Sequence, residues 1–280
     1  MIIKAYSKIN LTLDIVGKKE NGYHLLKTIM QSLELADEVS VELTEKEIIV
    51  ETSLKYLPND NHDIAYKAAV AFFDYFNLDC GAKIYIKKNI PVSAGMAGGS
   101  TDGAAVIKAL NELTGIKADA KTLAKIGEKV GADVPFCIIG GTVLCEGIGE
   151  ILTPLKPMKK CPVLVAKPDF PISTVEIFKK VRINEIKHHP DTEGAIKAIE
   201  SDNLYDLSKR MYNVLENITA ENRPIIKEIE KVMIDNKAMC SLMTGSGPTV
   251  FGLFENVEDA QKAEKALEKF NIFTCVTETI

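Results

Sequence analysis

Three stretches of this sequence carry residues whose types and spacing suit phosphate chemistry. The first is 91–103, PVSAGMAGGSTDG, where Gly95, Gly98, Gly99 and Gly103 fall between an alternating run and a helical one. Glycine reaches positive φ without a steric cost and lets a ligand come close to the backbone. A helix N-terminus adds unpaired N–H groups and partial positive charge. Together they form an anion cradle, and Ser100 and Thr101 add hydroxyls that suit phosphate oxygens or a bound metal ion. The second stretch is GADVPF, in which Asp133 is a carboxylate able to accept a proton from an alcohol. The third holds Lys8 and Asn10, two residues apart on one face of an alternating run and so ~7 Å apart along a strand. Phosphoryl transfer to an alcohol needs these parts: a held hydroxyl, an acceptor for its proton, and positive charge around the γ-phosphoryl group. A base at Asp133 would contribute ~10²–10⁴ in rate. Lys8 could lower the hydroxyl's pKa, keep Asp133 ionised, or stabilise charge on the transferring group.

Two better-known phosphate loops do not fit. Walker A requires a lysine after its second glycine; Gly98 and Gly103 have the spacing, but Ala104 stands in the lysine's place. The dinucleotide fingerprint requires a glycine two residues after Gly95, where the chain has Ala97.

The elements that must position these residues are readable from periodicity. Ile3, Ala5, Ile9, Leu11 and Leu13 alternate with Lys4, Tyr6, Lys8, Asn10 and Thr12, which predicts a half-buried strand. A turn at 18–22 and strands near 28–35, 38–43 and 47–52 follow. Ile64, Ala68, Phe72 and Phe76, four apart, predict a helix over 62–77 capped by Asp60 or Asn61. A strand at 82–87 enters the glycine-rich loop, and helices over 100–114 and 119–130 end at Gly115 and Gly131. Val134, preceding Pro135, is expected to be extended. The proline-rich stretch 153–162 predicts a boundary, giving domains 1–152 and 153–280. Beyond it come a strand at 163–167, helices near 174–181, 203–217 and 224–235, strands at 239–243 and 249–254 around the turn TGSGP, a helix at 257–269 and a strand at 273–278. The class is α+β in both halves.

Composition narrows the setting. The 280 residues are 46% hydrophobic and 26% charged, ordinary for a globular protein. A net charge of −5 argues against nucleic acid as a partner, because broad binding there needs a basic surface. No apolar run approaches the ~20 residues of a membrane span, so no membrane partner is expected. The N-terminus lacks a continuous apolar secretory segment. Six dispersed cysteines without a C-x-x-C pair suit a reducing cytoplasm rather than a disulfide framework or zinc site. His188 and His189, being adjacent, diverge and predict a solvated loop rather than a metal pair. No acidic pair marks a dedicated metal cage.

The loop resembles the phosphate-binding motif of the GHMP kinases, P-x-x-x-G-L-G-S/G-S-S: Pro91, Gly95, Gly98, Gly99 and Ser100 match in register, Met96 replaces leucine and Ala97 replaces glycine. AYSKINLTLDIVGKKENGYH, with Lys8, Ile9, Asn10, Leu11, Gly17, Gly22, Tyr23 and His24, is similar to the N-terminal signature of the branch whose acceptor carries a cytidine diphosphate group. GADVPFCIIGGTVLCEGIGEIL and MTGSGPTVF resemble its second and third signatures. The resemblance runs from residue 5 to about 254. It implies the two-domain GHMP fold, with a ribosomal-S5-domain-2-like nucleotide domain and a ferredoxin-like C-terminal domain. It also implies ATP as co-substrate with Mg2+, a small-molecule substrate with a cytidine diphosphate handle, and Asp133 and Lys8 as catalytic residues. Phosphoryl transfer in the non-mevalonate isoprenoid route follows from that branch.

By the same resemblance, Pro91, Val92, Ser93, Ala94, Gly95, Met96, Ala97, Gly98, Gly99, Ser100 and Thr101 hold the nucleotide's phosphates. Tyr23 and Phe178 sandwich the cytosine, a contact worth ~1–3 kcal/mol per stacked base. His24 reads the cytosine edge, and Asn10 orients the substrate or a phosphate. Lys88 and Asn111 are placed near adenine by position alone. The family's N-L-I reads here as Asp63-Ile64-Ala65, which loses an amide donor. Gly245, Ser246 and Gly247 are expected to form a strand-to-strand turn beside the phosphates. Within the fold, a homoserine or mevalonate kinase is the rival reading; outside it, a ligand sensor without turnover. A monomer and a homodimer are both compatible with the sequence.

Overall fold

The computed structural model describes residues 1–20, 22–58 and 60–280. Two long strands, β1 (Ile2–Lys18) and β2 (His24–Thr44), come first. The turn expected between them includes Asn21, which lies outside the described residues. Next are β3 (Ile48–Thr52), α1 (Ile64–Phe76) and β4 (Gly81–Lys87), then, past the glycine-rich loop, α2 (Gly98–Leu113), α3 (Ala120–Glu128) and a short α4 (Val134–Ile139). A hairpin of β5 (Thr142–Gly147) and β6 (Ile151–Pro154) precedes β7 (Pro162–Lys167). Helices α5 (Thr174–Lys180), α6 (Thr192–Glu200) and α7 (Leu204–Arg210) lead to β8 (Tyr212–Asn213). Then come α8 (Glu216–Ala220), α9 (Ile225–Asp235), β9 (Cys240–Met243), β10 (Val250–Leu253), α10 (Val257–Leu267) and β11 (Phe273–Glu278). No helix among the described residues is long and apolar enough to cross a membrane.

The chain forms two compact units that interleave along the sequence. One comprises Met1–Ser7, Leu35–Ile90 and Ala97–Gly140; the other comprises Lys8–Glu34, Pro91–Met96 and Gly141–Ile280. Both β1 and β2 contribute residues to each. The division expected near residue 152 is one of sequence and does not trace these units.

In the first unit, β4 runs antiparallel to the second half of β2 and parallel to β3, with Val39 opposite Ile86 and Val41 opposite Ile84. α1 starts where the Asp63 carboxylate accepts from the backbone N–H of Ala65 at 2.6 Å and of Tyr66 at 3.4 Å. The cap is thus Asp63, not Asp60 or Asn61, because only Asp63 sits at extended φ/ψ immediately before the first helical residue. α1 buries Ala65, Ala68, Ala69 and Phe72. A Cβ at Gly99 or Gly103 of α2 would lie 3.1 or 2.9 Å from the Ile64 side chain. Gly103 therefore serves helix packing rather than ligand approach.

The second unit contains a four-stranded antiparallel sheet in the order β11–β7–β10–β9, the ferredoxin-like arrangement that was expected. Its core joins Leu164, Ala166 and Val250 to Ile226, Ile229 and Met233 of α9 and Ala260, Ala263 and Leu267 of α10, together with Leu13 and Ile15 of β1.

Three expectations are corrected. The strands foreseen at 28–35 and 38–43 are one continuous strand, β2, which changes partner along its length: Leu26–Gln31 pair with β5 and Glu38–Thr44 with β4. The helix foreseen over 203–217 is broken, because Tyr212 and Asn213 leave it to pair in parallel with Thr12 and Leu13 of β1. β1 is not half-buried: Lys8, Asn10 and Thr12 are as inaccessible as Ile9 and Leu11. Hydrogen bonds make that burial tolerable, with Thr28 Oγ1 donating to the Thr12 carbonyl at 2.5 Å and Ile29 N to Thr12 Oγ1 at 3.1 Å.

Candidate active site

The first half of the glycine-rich loop, residues 91–96, lies in the second unit with Lys8. Lys8 is 3% exposed, so it is not the solvated strand lysine its alternating pattern allows. Its Nζ donates to Asn10 Oδ1 at 2.7 Å and to the Gly95 carbonyl at 2.9 Å. The Lys8 backbone N–H donates to the Met96 carbonyl at 3.3 Å. Asn10 is engaged in turn: Nδ2 donates to Thr28 Oγ1 at 2.9 Å, and Oδ1 also accepts from Thr244 Oγ1 at 3.2 Å. Its geometry is that of a residue orienting Lys8. Gly95 has φ of 74°, and a Cβ there would stand 2.6 Å from the Thr244 carbonyl oxygen, so both dihedral and space require glycine. The contact partner is the turn TGSGP, which joins β9 to β10 through Thr244 N donating to Thr249 O at 2.9 Å and Gly247 N to Thr244 O at 3.0 Å. In that turn, a Cβ on Gly245 would be 2.9 Å from the Gly95 carbonyl oxygen and 3.5 Å from Lys8 Nζ. The expected strand-to-strand turn is present and backs directly onto Gly95. Of the other residues here, Ala94 and Met96 are buried, Pro91 and Val92 half-buried, and Ser93 is exposed with φ of 52°.

The second half, starting at Ala97, lies in the first unit. Ala97 is the N-cap of α2, at φ 60° and ψ 26°. The family's glycine is replaced at a left-handed position, where a methyl group is strained. Gly98, Gly99 and Ser100 form the first turn of α2 and are not buried. Ser100 Oγ makes no hydrogen bond among the described residues. Thr101 behaves differently, since its Oγ1 donates to the Tyr6 carbonyl at 2.6 Å and anchors α2 on β1.

Lys88 is also placed in the first unit. Its ammonium contacts Asp37 and lies 2.6 Å from Asp102 Oδ2, with all three side chains at most 6% exposed. Asp37 Oδ1 accepts from the Asn89 and Ile90 backbone N–H groups at 2.5 and 2.8 Å. Burial opposes the Lys88 charge, but Asp102 and Asp37 outweigh it and raise its pKa. Burial pushes the Asp102 carboxyl well above the usual carboxylate range, against the attraction of Lys88. Among the described residues Asp102 Oδ1 has no hydrogen-bond partner, though it is buried. Asn111 is equally occupied, its amide bracketing Ala118 by bonds of 3.1 and 2.8 Å. Neither side chain is offered to a nucleotide in this arrangement.

Asp133 is the N-cap of α4, half-buried, with no side-chain capping bond and no ion pair among the described residues. Val134 is the first residue of α4 rather than extended, with Pro135 in the first turn, where a missing N–H costs nothing.

In the second unit, His24 and Phe178 come together, ring centroids 5.5 Å apart and planes tilted by 39°. Burial, then the charge of Lys18, lowers the His24 pKa, which favours the neutral ring. Tyr23 is 61% exposed, and Phe178 packs partly against the core. The two adjacent histidines lie in an exposed loop, as expected, and each still makes one contact: His188 stands edge-on to Tyr212 at 4.5 Å, and His189 Nδ1 lies 2.7 Å from Asp14 Oδ1. Among the described residues no group of three His, Cys, Asp or Glu side chains could hold a metal ion.

Sequence reasoning missed Asp37, Asp102, Thr28 and Thr244. Asp102 had a signal: it lies on the same face of α2 as Ala105, Val106, Ala109 and Leu110, all buried, so it sits in an apolar stripe. The others depend on long-range contacts that no local pattern announces.

A glycine-rich loop leading into a helix N-terminus, with a buried lysine against Gly95, is an arrangement suited to holding phosphate. The family descriptions "GHMP kinases N terminal domain" and "GHMP kinases C terminal" match residues 63–141 and 195–272. A 4-diphosphocytidyl-2-C-methyl-D-erythritol kinase of Clostridium perfringens is 49% identical over 269 residues, 96% of this chain and 93% of that protein. A kinase of the same name from Caldicellulosiruptor saccharolyticus is 46% identical over 271 residues, covering 96% and 93%. A crystal structure of 4-(cytidine 5'-diphospho)-2C-methyl-D-erythritol kinase matches with a TM-score of 0.85 and 29% identity, covering 100% of this chain and 99% of that one. A homoserine kinase from Cytophaga hutchinsonii, at 19% identity, 99% and 95% coverage and a TM-score of 0.76, shares the fold. The chain belongs to the GHMP kinase family.

Proposed function

We propose that the chain transfers the γ-phosphoryl group of ATP to the 2-hydroxyl of 4-diphosphocytidyl-2-C-methyl-D-erythritol, a step of the non-mevalonate route to isoprenoid precursors. The observation that carries the choice of acceptor is the near-full-length likeness to kinases named for it. The His24 and Phe178 ring pair supports it, because a substrate without a base needs no aromatic platform.

In this reading Asp133 accepts the hydroxyl proton as the acceptor oxygen forms its bond to the γ-phosphorus. The bond from that phosphorus to the β–γ bridging oxygen breaks, and ADP leaves with the electron pair. Lys8 has three N–H donors, and two are used on Asn10 and Gly95. The third is assigned to the charge developing on the transferring group. Residues 91–101 supply the phosphate cradle, with Thr101 anchoring it through Tyr6. His24 reads the cytosine edge, and Tyr23 and Phe178 flank the base. We do not assign Asn111 to the nucleotide, and we assign Lys88 to holding the loop.

Mg2+ is proposed to accompany ATP and to neutralise charge on its phosphates. Ser100, whose hydroxyl lies in the first turn of α2, would be the side chain available to that ion. We divide the chain by sequence into a nucleotide domain, 1–152, and a C-terminal domain, 153–280, and place the enzyme in the cytoplasm, where free thiols persist.

The test is ADP release with the cytidine-linked acceptor, homoserine and mevalonate in parallel. Turnover with the first alone is expected. Preference for either of the others would move the chain to another branch, and tight ATP binding with no ADP from any acceptor would make it a sensor. Asp133→Asn should lower kcat by about 10²–10⁴, with the thermal midpoint little changed.

A further inference from the structure

Asn213 is fully buried where β8 meets β1, opposite Leu13. Its Nδ2 donates to two carbonyls, those of Met243 and Gly245, each at 2.8 Å, while Oδ1 accepts from Leu215 N at 3.0 Å. A side-chain amide has two donor hydrogens, and both are spent where β9 enters the TGSGP turn. Three residues on, Glu216 accepts from the Met243 backbone N–H at 2.8 Å, a second tether on the same strand end. On its other side, the turn meets the reacting machinery. Gly245, at φ 59°, leaves no room for a side chain between itself and the Gly95 carbonyl. Thr244 Oγ1 accepts from the Asn10 backbone N–H at 3.0 Å and donates to Asn10 Oδ1. Those two partners, Gly95 O and Asn10 Oδ1, are the acceptors that hold the Lys8 ammonium.

We infer that Asn213 is a positioning residue for phosphoryl transfer, fixing the 243–245 backbone so that Thr244, Asn10 and Gly95 hold Lys8 in its working direction. Alanine at this position leaves two buried carbonyls without their donor and lets the turn shift. Misplacement of a reacting group by ~1 Å costs on the order of 10²-fold in rate. The inference rests on the catalytic role given to Lys8 above.

The experiment measures kcat, both KM values and the thermal midpoint for Asn213→Ala, Lys8→Met and the double variant. Asn213→Ala is expected to stay folded, to lose about 10–100-fold in kcat with smaller changes in KM, and to add nothing further when Lys8 is already methionine. Wild-type kcat in folded Asn213→Ala overturns the inference, as do losses that multiply in the double variant. If Asn213→Ala does not fold, Thr244→Val carries the test, since it keeps the shape and removes the hydroxyl that links the turn to Asn10. It should show the same kcat loss, and wild-type kcat there overturns the inference equally. A wild-type chain that forms no ADP overturns the functional reading and this inference with it. An active wild type with an indifferent Asn213→Ala overturns this inference alone.

Discussion

Lys8 and Lys88 are both buried lysines beside the same glycine-rich loop, yet their surroundings differ in kind. Lys88 faces two buried carboxyl groups, Asp37 and Asp102, so its charge is matched inside the protein. Lys8 is held by an amide oxygen and a backbone carbonyl, with no carboxylate in ion-pair reach among the described residues. A buried cation without a counter-ion is costly in the free protein, and in the proposed reading an arriving phosphate would supply that counter-ion. Position in sequence would nominate either lysine for the nucleotide. Charge balance separates them, and it is the ground on which we assign Lys88 to holding the loop and propose Lys8 for the phosphoryl group.

Breaking the comparison at its structural end should give the largest change. Lys88→Met strands two buried carboxylates, and removing one partner of such a group costs about 3–5 kcal/mol. A fall in the denaturation midpoint of that size is expected, with ATP affinity lost only as folding is lost. A stable, folded Lys88→Met that cannot bind ATP would reverse the assignment. Lys8→Met should do the opposite, lowering kcat by about 10²–10³ while the denaturation midpoint stays level or rises, because a buried charge has been removed.

The pH dependence of stability sharpens the contrast. The Asp102 carboxyl has a raised pKa in the folded chain, chiefly through burial. Between the ordinary aspartate value and that raised one, the folded state holds a proton that the unfolded state has released. Stability therefore declines as pH rises through that window. Asp102→Asn should flatten this decline in a series of thermal melts above pH 4, whereas Lys8→Met should leave it in place. An unchanged slope in Asp102→Asn would remove Asp102 as its source. The smallest effect belongs to the loop's midpoint. Ala97→Gly relieves a left-handed alanine at a helix N-cap and should stabilise by up to about 1 kcal/mol, after the larger unfolded-state entropy of glycine is subtracted. A loss of stability on that change would mean that the methyl group packs favourably.

Much of this site was legible in the sequence because its parts are local. The 91–103 loop, Asp133, and Lys8 with Asn10 on one strand face all follow from spacing over a few residues, and the structure places Lys8, Asn10 and Gly95 together. The four strands near 163–167, 239–243, 249–254 and 273–278 were legible from the turns that bound them, while their ferredoxin-like order followed from the family resemblance rather than from any pattern within the strands. What stayed hidden was long-range. The burial of Lys8 depends on Thr28 and Thr244, which lie 18 and 234 residues from Asn10. β8 is two residues long and has no period of its own. Lys88 read as a nucleotide ligand because Asp37 is 51 residues away, and nothing local shows that its charge is already taken.

A crystal structure with a nonhydrolysable ATP analogue and the cytidine-linked acceptor would test the division between the two lysines most directly. We predict Lys8 Nζ within hydrogen-bonding distance of the γ-phosphoryl group, the acceptor oxygen within reach of Asp133, and Lys88 still between Asp37 and Asp102. Phosphate bound by Lys88, with Lys8 keeping only Asn10 and Gly95 for company, would contradict it.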